Sequence, residues 1–273
     1  MDDDLREWLA GELGETPTAW TDCSQDHRQT AVWRVECGGR RVYVKRHRHH
    51  RKFVQERHAY ANWLRPSDPV PRVVAESEPL RSLVLSEVPG TVAEGRSKTP
   101  DLYRQAGCFL RGLHDRPLED GDPVPPAEAF VESGLAYVGR AAGLLSDEAL
   151  RRAAVRIGEA ADVLRGMKRR PCHRDFTARN WLSDGERLSV IDFEHARPDL
   201  WLVDVERVRS ATDDDRLFAA FLDGYGRTLT GHDREALSLV TLHSGLSRLV
   251  WAVRHRDAAF EAKARRTLAA CLA

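Results

Sequence analysis

His173-Arg174-Asp175-Phe176-Thr177-Ala178-Arg179-Asn180, followed by Val190-Ile191-Asp192-Phe193-Glu194, is the most informative stretch of the chain. Between the two runs, Asp184-Gly185 is a two-residue hairpin signal. Asn180 is then expected to begin one strand and Asp192 to end its partner. Both would lie at the open end of the hairpin, beside the loop that carries Asp175. An amide oxygen and a carboxylate converging there suit Mg²⁺, a hard cation that prefers carboxylate, amide and phosphate oxygens. A third carboxylate nearby can orient a hydroxyl for attack on a phosphoryl group. Phosphoryl transfer divides its labour in this way, with one aspartate at the hydroxyl and an asparagine and a second aspartate on the metal.

Upstream of this stretch the chain reads as mixed. Leu5, Trp8, Leu9 and Leu13 recur at helical spacing. Residues 30–36 and 41–45 are rich in β-branched and aromatic side chains, and Gly38-Gly39 between them signals a tight hairpin. A helix is expected next, with Phe53, Glu56, Tyr60, Trp63 and Leu64 on one face, then strands at 72–75 and 82–88. Pro89-Gly90 breaks the pattern. Beyond it apolar residues fall mostly at helical spacing, from Leu102, Ala106, Phe109, Leu110 and Leu113 to Leu249, Val250 and Val253. A β-rich part at 1–88 and a helical part at 89–273 make an α+β architecture of two lobes. Strand alternation puts Lys45 on the face opposite Val42 and Val44. Glu56 lies on an apolar helical stripe, where a carboxylate is costly unless paired, and Lys45 is its natural partner.

The residues H-R-D-F-T-A-R-N and I-D-F-E match the H-x-D-x-x-x-x-N and I-D-[WF]-E motifs of a known family. The chain resembles the aminoglycoside phosphotransferase and choline kinase-like branch of the protein-kinase-like superfamily, from about Thr21 to Asp204. The resemblance implies a two-lobed protein-kinase-like fold, with a small antiparallel-sheet N-lobe, a larger helical C-lobe, and ATP or GTP between them. It implies that Asp175 is the catalytic, hydroxyl-orienting carboxylate and that Asn180 and Asp192 hold Mg²⁺. Val42-Tyr43-Val44-Lys45 resembles the strand that presents the phosphate-binding lysine, braced by Glu56. The turn between Trp20 and Val32 has no glycine, so Ser24 and its neighbours are the candidates for phosphate contacts. The run Leu85-Ser86-Glu87-Val88-Pro89-Gly90 resembles the family's interlobe linker, with Ser86, Glu87 or Val88 offering backbone groups to the purine.

Composition narrows the partners. With 42% hydrophobic residues there is material for a core, and the 42 basic residues equal the 42 acidic ones. Such a balance gives no general attraction to nucleic acid or anionic lipid. No apolar run approaches the roughly 20 residues of a membrane span. The acidic start Met1-Asp2-Asp3-Asp4 is unlike a signal peptide. Five scattered cysteines without a CxxC pair fit a reducing cytoplasm. The short segment from Asp192 to Asp204 leaves no room for a protein-kinase activation loop, so a small hydroxylated acceptor is expected rather than a protein.

By resemblance the leading acceptor is an antibiotic (an aminoglycoside, nucleoside, macrolide or peptide antibiotic), phosphorylated for resistance or self-protection. Glu194, Asp199 and Glu206 are the carboxylates available to a polycation. The alternatives are a metabolic kinase acting on choline, a sugar or a homoserine-like alcohol, and a catalytically inactive kinase-like binding module. A choline site needs an aromatic cage, for which Trp181, Trp201, Tyr225 and Trp251 are the candidates. The tract His47-Arg48-His49-His50 reads as a solvated basic turn, His114 as a core or end-of-helix histidine, and Asp213-Asp214-Asp215 as a helix N-terminal cap. Asp204 reads as a brace for the catalytic loop.

Overall fold

The computed structural model describes residues 3–24, 30–93, 95 and 98–273. In chain order the elements are α1 (Asp3–Leu13), β1 (Ala19–Asp22), β2 (Thr30–Cys37), β3 (Arg40–His47), α2 (His50–Asn62), β4 (Val73–Ser77), β5 (Ser82–Ser86), β6 (Thr91–Val92), α3 (Pro100–His114), α4 (Pro126–Arg140), α5 (Asp147–Val163), β7 (Arg170–Cys172), β8 (Trp181–Ser183), β9 (Leu188–Val190), β10 (Arg197–Asp199), α6 (Leu202–Ala211), α7 (Asp215–Tyr225), α8 (Gly231–His255) and α9 (Ala258–Leu272). They fall into two compact units. One comprises Met1–Arg116, His173–Arg197 and Asp214–Gly226, and the other Pro117–Cys172, Pro198–Asp213 and Arg227–Ala273.

The first unit is built on an antiparallel sheet of order β1-β2-β3-β5-β4. Gly38 and Gly39, both at positive φ, close the β2–β3 hairpin. Cys37 pairs with Arg40 across them, so the turn has the two residues the sequence signals. Alternation then sorts the side chains. Val35, Val42, Val44 and Val84 pack with Leu5 and Leu9 of α1, while Leu83, Leu85 and Tyr43 pack with Phe53 and Tyr60 of α2. Lys45 and His47 share the α2 side. A second sheet, β6-β8-β9, carries the hairpin beside the key loop. Its turn spans Asp184 to Arg187 rather than the expected two residues. The Asp184 carboxylate accepts from the backbone N–H groups of Glu186 and Arg187, which opens the turn to four. Gln105 of α3 clamps it, donating to Glu186 O and accepting from Leu188 N.

α3 and α7 meet in this unit through glycines. A Cβ on Gly107 would lie 2.1 Å from Phe221 O, and one on Gly224 only 1.9 Å from Arg104 O. The backbones touch where a side chain cannot fit. At the end of α3 the buried His114 shares a 2.8 Å hydrogen bond with Tyr225. Asp214 caps α7 by accepting from Arg216 N.

The second unit is helical. α8 packs against α4, α5, α6 and α9. It is long and apolar enough to cross a membrane by length and composition, yet 56% of that stretch is buried. It also carries Arg248, whose guanidinium lies 2.8 Å from Glu206 of α6. A capping box of Thr230 and Asp233 starts it. α8 is therefore the core helix of this unit.

Gly224→Ala is expected to destabilise the protein by about 1–3 kcal/mol, the usual cost of overpacking. The measurement is the urea midpoint of unfolding, with exposed Gly121→Ala as the near-neutral control.

Candidate active site

Lys45 lies at the centre of the charged groups of the first unit. β3 delivers its ammonium to the α2 side, where Nζ is 2.9 Å from Glu56 Oε1 and 2.8 Å from Oε2. It is 2.6 Å from Asp192 Oδ1 and 3.7 Å from Glu194 Oε2. Burial alone would lower the lysine pKa, but the carboxylates of Asp192, Glu56 and Glu194 outweigh it and raise it. Burial likewise pushes Glu56 up, and the charge of Lys45, with the contact of His47, overcomes it, so its carboxyl is held below the usual range. Glu56 Oε1 also accepts from the backbone N–H of Phe193 at 3.2 Å. One carboxylate thus ties α2 to the strand lysine and to the residue after Asp192.

His47 is a member of this cluster, where the sequence suggests a solvated basic turn over 47–50. It is fully buried, and its Nε2 lies 2.9 Å from Glu56 Oε2, off the hydrogen-bonding angle. Arg48, His49 and His50 are exposed, as a solvated turn would be. The end of β3 separates them: His47 is its last residue and shares the face of Lys45, and its cross-strand partner Thr30 does too. Thr30 Oγ1 donates to Glu194 at 2.8 Å.

The loop before the hairpin is locked by its own polar groups. Asp175 N donates to His173 Nδ1, so the ring carries its proton on Nε2, which donates to Ile191 O at 3.0 Å. His173 therefore joins the Asp175 loop to the segment bearing Asp192. Asn180 sits in a short 3₁₀ turn, Ala178–Asn180, just before β8. Its Nδ2 donates to Asp175 O at 2.8 Å and to Asp175 Oδ2 at 3.0 Å. Ile191 N in turn donates to Asn180 O. Asp175 also accepts from Arg179, with Nη2 at 2.7 and 3.0 Å from its two oxygens. Arg174 and Asp192 both adopt positive φ, 64° and 70°, which is unfavourable for residues with a Cβ and costs of order 1–3 kcal/mol each. Packing holds them there: Phe193 contacts the rings of His173, Tyr60 and Phe109, and Phe109 stacks on Phe176.

These contacts bring together Lys45, Glu56, Asp192 and Glu194 in one cluster, and Asp175 and Asn180 in another, bridged by His173. The donor set fits a hard divalent cation. Asn180 spends its amide N–H groups on Asp175, leaving its Oδ1 without a partner among the described residues, and its backbone is bonded to that of Ile191, next to Asp192. Other expected residues lie elsewhere. Ser24 is exposed, and its hydroxyl accepts from Val32 N at 3.0 Å, pinning the β1–β2 hairpin. The sequence 25–29 of that turn lies outside the described residues. Ser86 pairs with Arg72 through backbone and hydroxyl, Glu87 lies 3.2 Å from Arg41, and Val88 follows β5 half-buried. In the second unit Glu206 is fully buried and accepts from Ser244 as well as Arg248. Asp199 accepts from Leu200 N. Asp204 is fully buried in α6.

The sequence profile of the phosphotransferase enzyme family matches residues 20–238. The chain belongs to that family. No curated protein matches it in sequence. Solved structures match the fold across nearly the whole chain. The apo form of a thermostable mutant of aminoglycoside phosphotransferase APH(4)-Ia is 16% identical, with 98% of each chain covered and a TM-score of 0.77. The gentamicin complex of APH(2'')-IIa is 18% identical, with 98% of this chain and 96% of that chain covered and a TM-score of 0.71. A candidate fructosamine-3-kinase from Thermobifida fusca is 18% identical, with 98% and 99% covered and a TM-score of 0.72. The fold is thus protein-kinase-like and the chain is a phosphotransferase of this family, as the motifs led one to expect.

Removing the central cation exposes the constraint. Lys45→Met leaves Glu56, Asp192 and Glu194 buried together without their counter-charge, and is expected to cost about 3–5 kcal/mol at neutral pH. In the native protein Glu56, with its pKa depressed, contributes stability above its unfolded pKa and loses it as pH falls through the folded value. In the variant the carboxylates repel and their pKa values rise, so the deficit should narrow as pH falls. Urea unfolding of both proteins between about pH 8 and pH 5 checks the sign.

Proposed function

We propose that this protein transfers the γ-phosphoryl group of ATP or GTP to a hydroxyl of a small molecule, and that the acceptor is an antibiotic. The observation that carries the reading is the lock between Asp175 and Asn180, tied by His173 to the segment in which Asp192 meets Lys45 and Glu56. In this reading Asp175 orients the acceptor hydroxyl and takes up its proton at a carboxylate oxygen. Asn180 fixes the Asp175 carboxylate by donating to it. Lys45 binds the phosphates, and Glu56 sets its position. Asn180 and Asp192 would hold Mg²⁺, which when bound supplies charge neutralisation for the phosphates. Backbone groups of Ser86, Glu87 and Val88 are proposed for the purine, and Ser24 for the phosphate side. An inactive scaffold would have no use for so costly a burial of charge.

Several neighbours in fold are aminoglycoside phosphotransferases, one of them complexed with ADP and hygromycin B, which supports a nucleotide donor and an antibiotic acceptor. The local chemistry favours a neutral acceptor, such as a nucleoside or macrolide, over a polycation. Glu194 is spent on Lys45 and Thr30 and Glu206 on Arg248, while the guanidinium of Arg179 lies on Asp175. A second reading, a sugar-type kinase, draws on the fructosamine-3-kinase candidate among the neighbours. The choline version has less support. Trp181 is buried against Tyr103 and Phe176, Tyr225 is bonded to His114, Trp201 lies under Arg227, and Trp251 stacks on His255. A cytoplasmic location belongs to the proposal and suits five cysteines present as thiols.

A panel of antibiotics and sugars with ATP and GTP, scored by mass spectrometry for the gain of one phosphoryl group, identifies the acceptor; no gain on any antibiotic removes that part of the reading. On the acceptor found, Asp175→Asn should cut turnover by roughly 10²–10⁴ while nucleotide affinity stays close to native. Asp192→Ala should abolish the Mg²⁺ dependence of nucleotide binding in calorimetry, and an unchanged dependence would remove the metal role.

A further inference from the structure

Of the five lysines in the chain, Lys45 and Lys52 both reach the acidic cluster. Their situations differ. Lys45 points its protons at three carboxylates and is 8% exposed at the side chain. Its protons already face buried partners, so in the reading above it meets the phosphates from within that set. Lys52, on α2 one turn before Glu56, is 25% exposed, and its one carboxylate contact among the described residues is long, 3.5 Å to Glu194 Oε1. Its other neighbour is the ring of His195, with both nitrogens 2.8 Å from Nζ. Burial, followed by the charge of Lys52, pushes that ring down to about 4, so at neutral pH it is uncharged. A neutral imidazole has one lone pair and can accept only one proton from the ammonium. Lys52 is therefore a cation held in place by a weak carboxylate contact and a neutral ring, with one N–H group uncommitted among the described residues.

Its position also matters. Glu194 and His195 directly follow the segment of Asp192. Glu194 Oε1 lies 3.5 Å from Lys52 and its Oε2 3.7 Å from Lys45, so one carboxylate joins the two ammonium groups beside Asp192. In the phosphotransferase reading, the phosphoryl group passes from the nucleotide at the Asp192 side to a hydroxyl at Asp175. It carries charge on three equatorial oxygens that fixed cations stabilise.

We propose that Lys52 is a second phosphate-binding residue, which contacts the γ-phosphoryl group while Lys45 remains with Glu56 and Asp192. The assignment rests on the phosphotransferase reading above. Glu194 and His195 then act as positioning residues for Lys52. No covalent step is involved, and the gain is one charge-assisted hydrogen bond made only when a third phosphate is present.

The test needs no acceptor. The full chain and its Lys52→Met and Lys52→Arg variants are titrated calorimetrically with Mg·AMP-PNP and with Mg·ADP, and their thermal midpoints are recorded. Lys52→Met should weaken AMP-PNP binding roughly 10- to 100-fold, the range for a lost hydrogen bond to a charged group, while ADP binding changes less than about threefold by the same reasoning. Lys52→Arg should recover most of the loss. Equal losses for the two nucleotides, or no loss for either, would overturn the assignment and leave Lys52 as the counter-charge of Glu194. If the native chain bound neither nucleotide, the phosphotransferase reading itself would fail, which is a separate result. Lys52→Gln, which can still donate to Glu194, carries the same expectation if the methionine variant does not fold.

Discussion

A buried ammonium among carboxylates is the interaction on which the first unit depends. Charge cannot be left in a protein interior without partners, so Lys45 obliges three separate parts of the chain to meet. β3 supplies the lysine, α2 supplies Glu56, and the segment after β9 supplies Asp192 and Glu194. The sheet makes this possible because alternation sends Val42 and Val44 into the core beneath α1 and Lys45 and His47 towards α2. The cluster is thus a result of strand geometry before it is a device for chemistry. Glu56 extends it by accepting the backbone N–H of Phe193, so that the acidic segment is fixed by its main chain as well as by its side chains.

The neighbouring loop is organised differently, by hydrogen bonds that the His173 and Asn180 side chains make around Asp175. His173 accepts at one nitrogen and donates at the other, which fixes its tautomer and couples two backbone segments. Asn180 gives both its side-chain protons to Asp175 and so keeps its oxygen for other use. Around this frame Phe176, Phe193 and Phe109 pack closely. The positive φ values of Arg174 and Asp192 are sustained by these contacts, and they bracket the two carboxylates whose directions matter most.

Much of this was legible in the sequence. The Gly38-Gly39 turn set the register of β2 on β3, and alternation with the helical stripe was enough to pair Lys45 with Glu56. The order of Asp175, Asn180 and Asp192 was readable as a motif, though not the backbone bond from Ile191 to Asn180 that joins them. Three features were harder to see. His47 was hidden in a run of polar residues, and what sets it apart from His49 is that β3 ends at residue 47 and His49 already caps α2. Glu206 looked available as a surface carboxylate because its partner Arg248 is on a distant helix. The four-residue turn at 184–187 depends on a side-chain-to-backbone bond of Asp184, which overrode the two-residue signal.

The ion pair of Lys45 with Asp192 spans 147 positions of the chain. During synthesis, as the chain leaves the ribosome from its N-terminus, the hairpin of β2 and β3 can form as soon as residue 47 has emerged, because its contacts are local. Lys45 and Glu56 can meet soon after. Asp192 emerges much later, and α7, which completes the same compact unit, ends only at Tyr225. For most of translation the sheet must therefore exist without the acid that closes its charge balance. A nascent chain stalled before residue 192 would present a half-built first unit to chaperones and proteases.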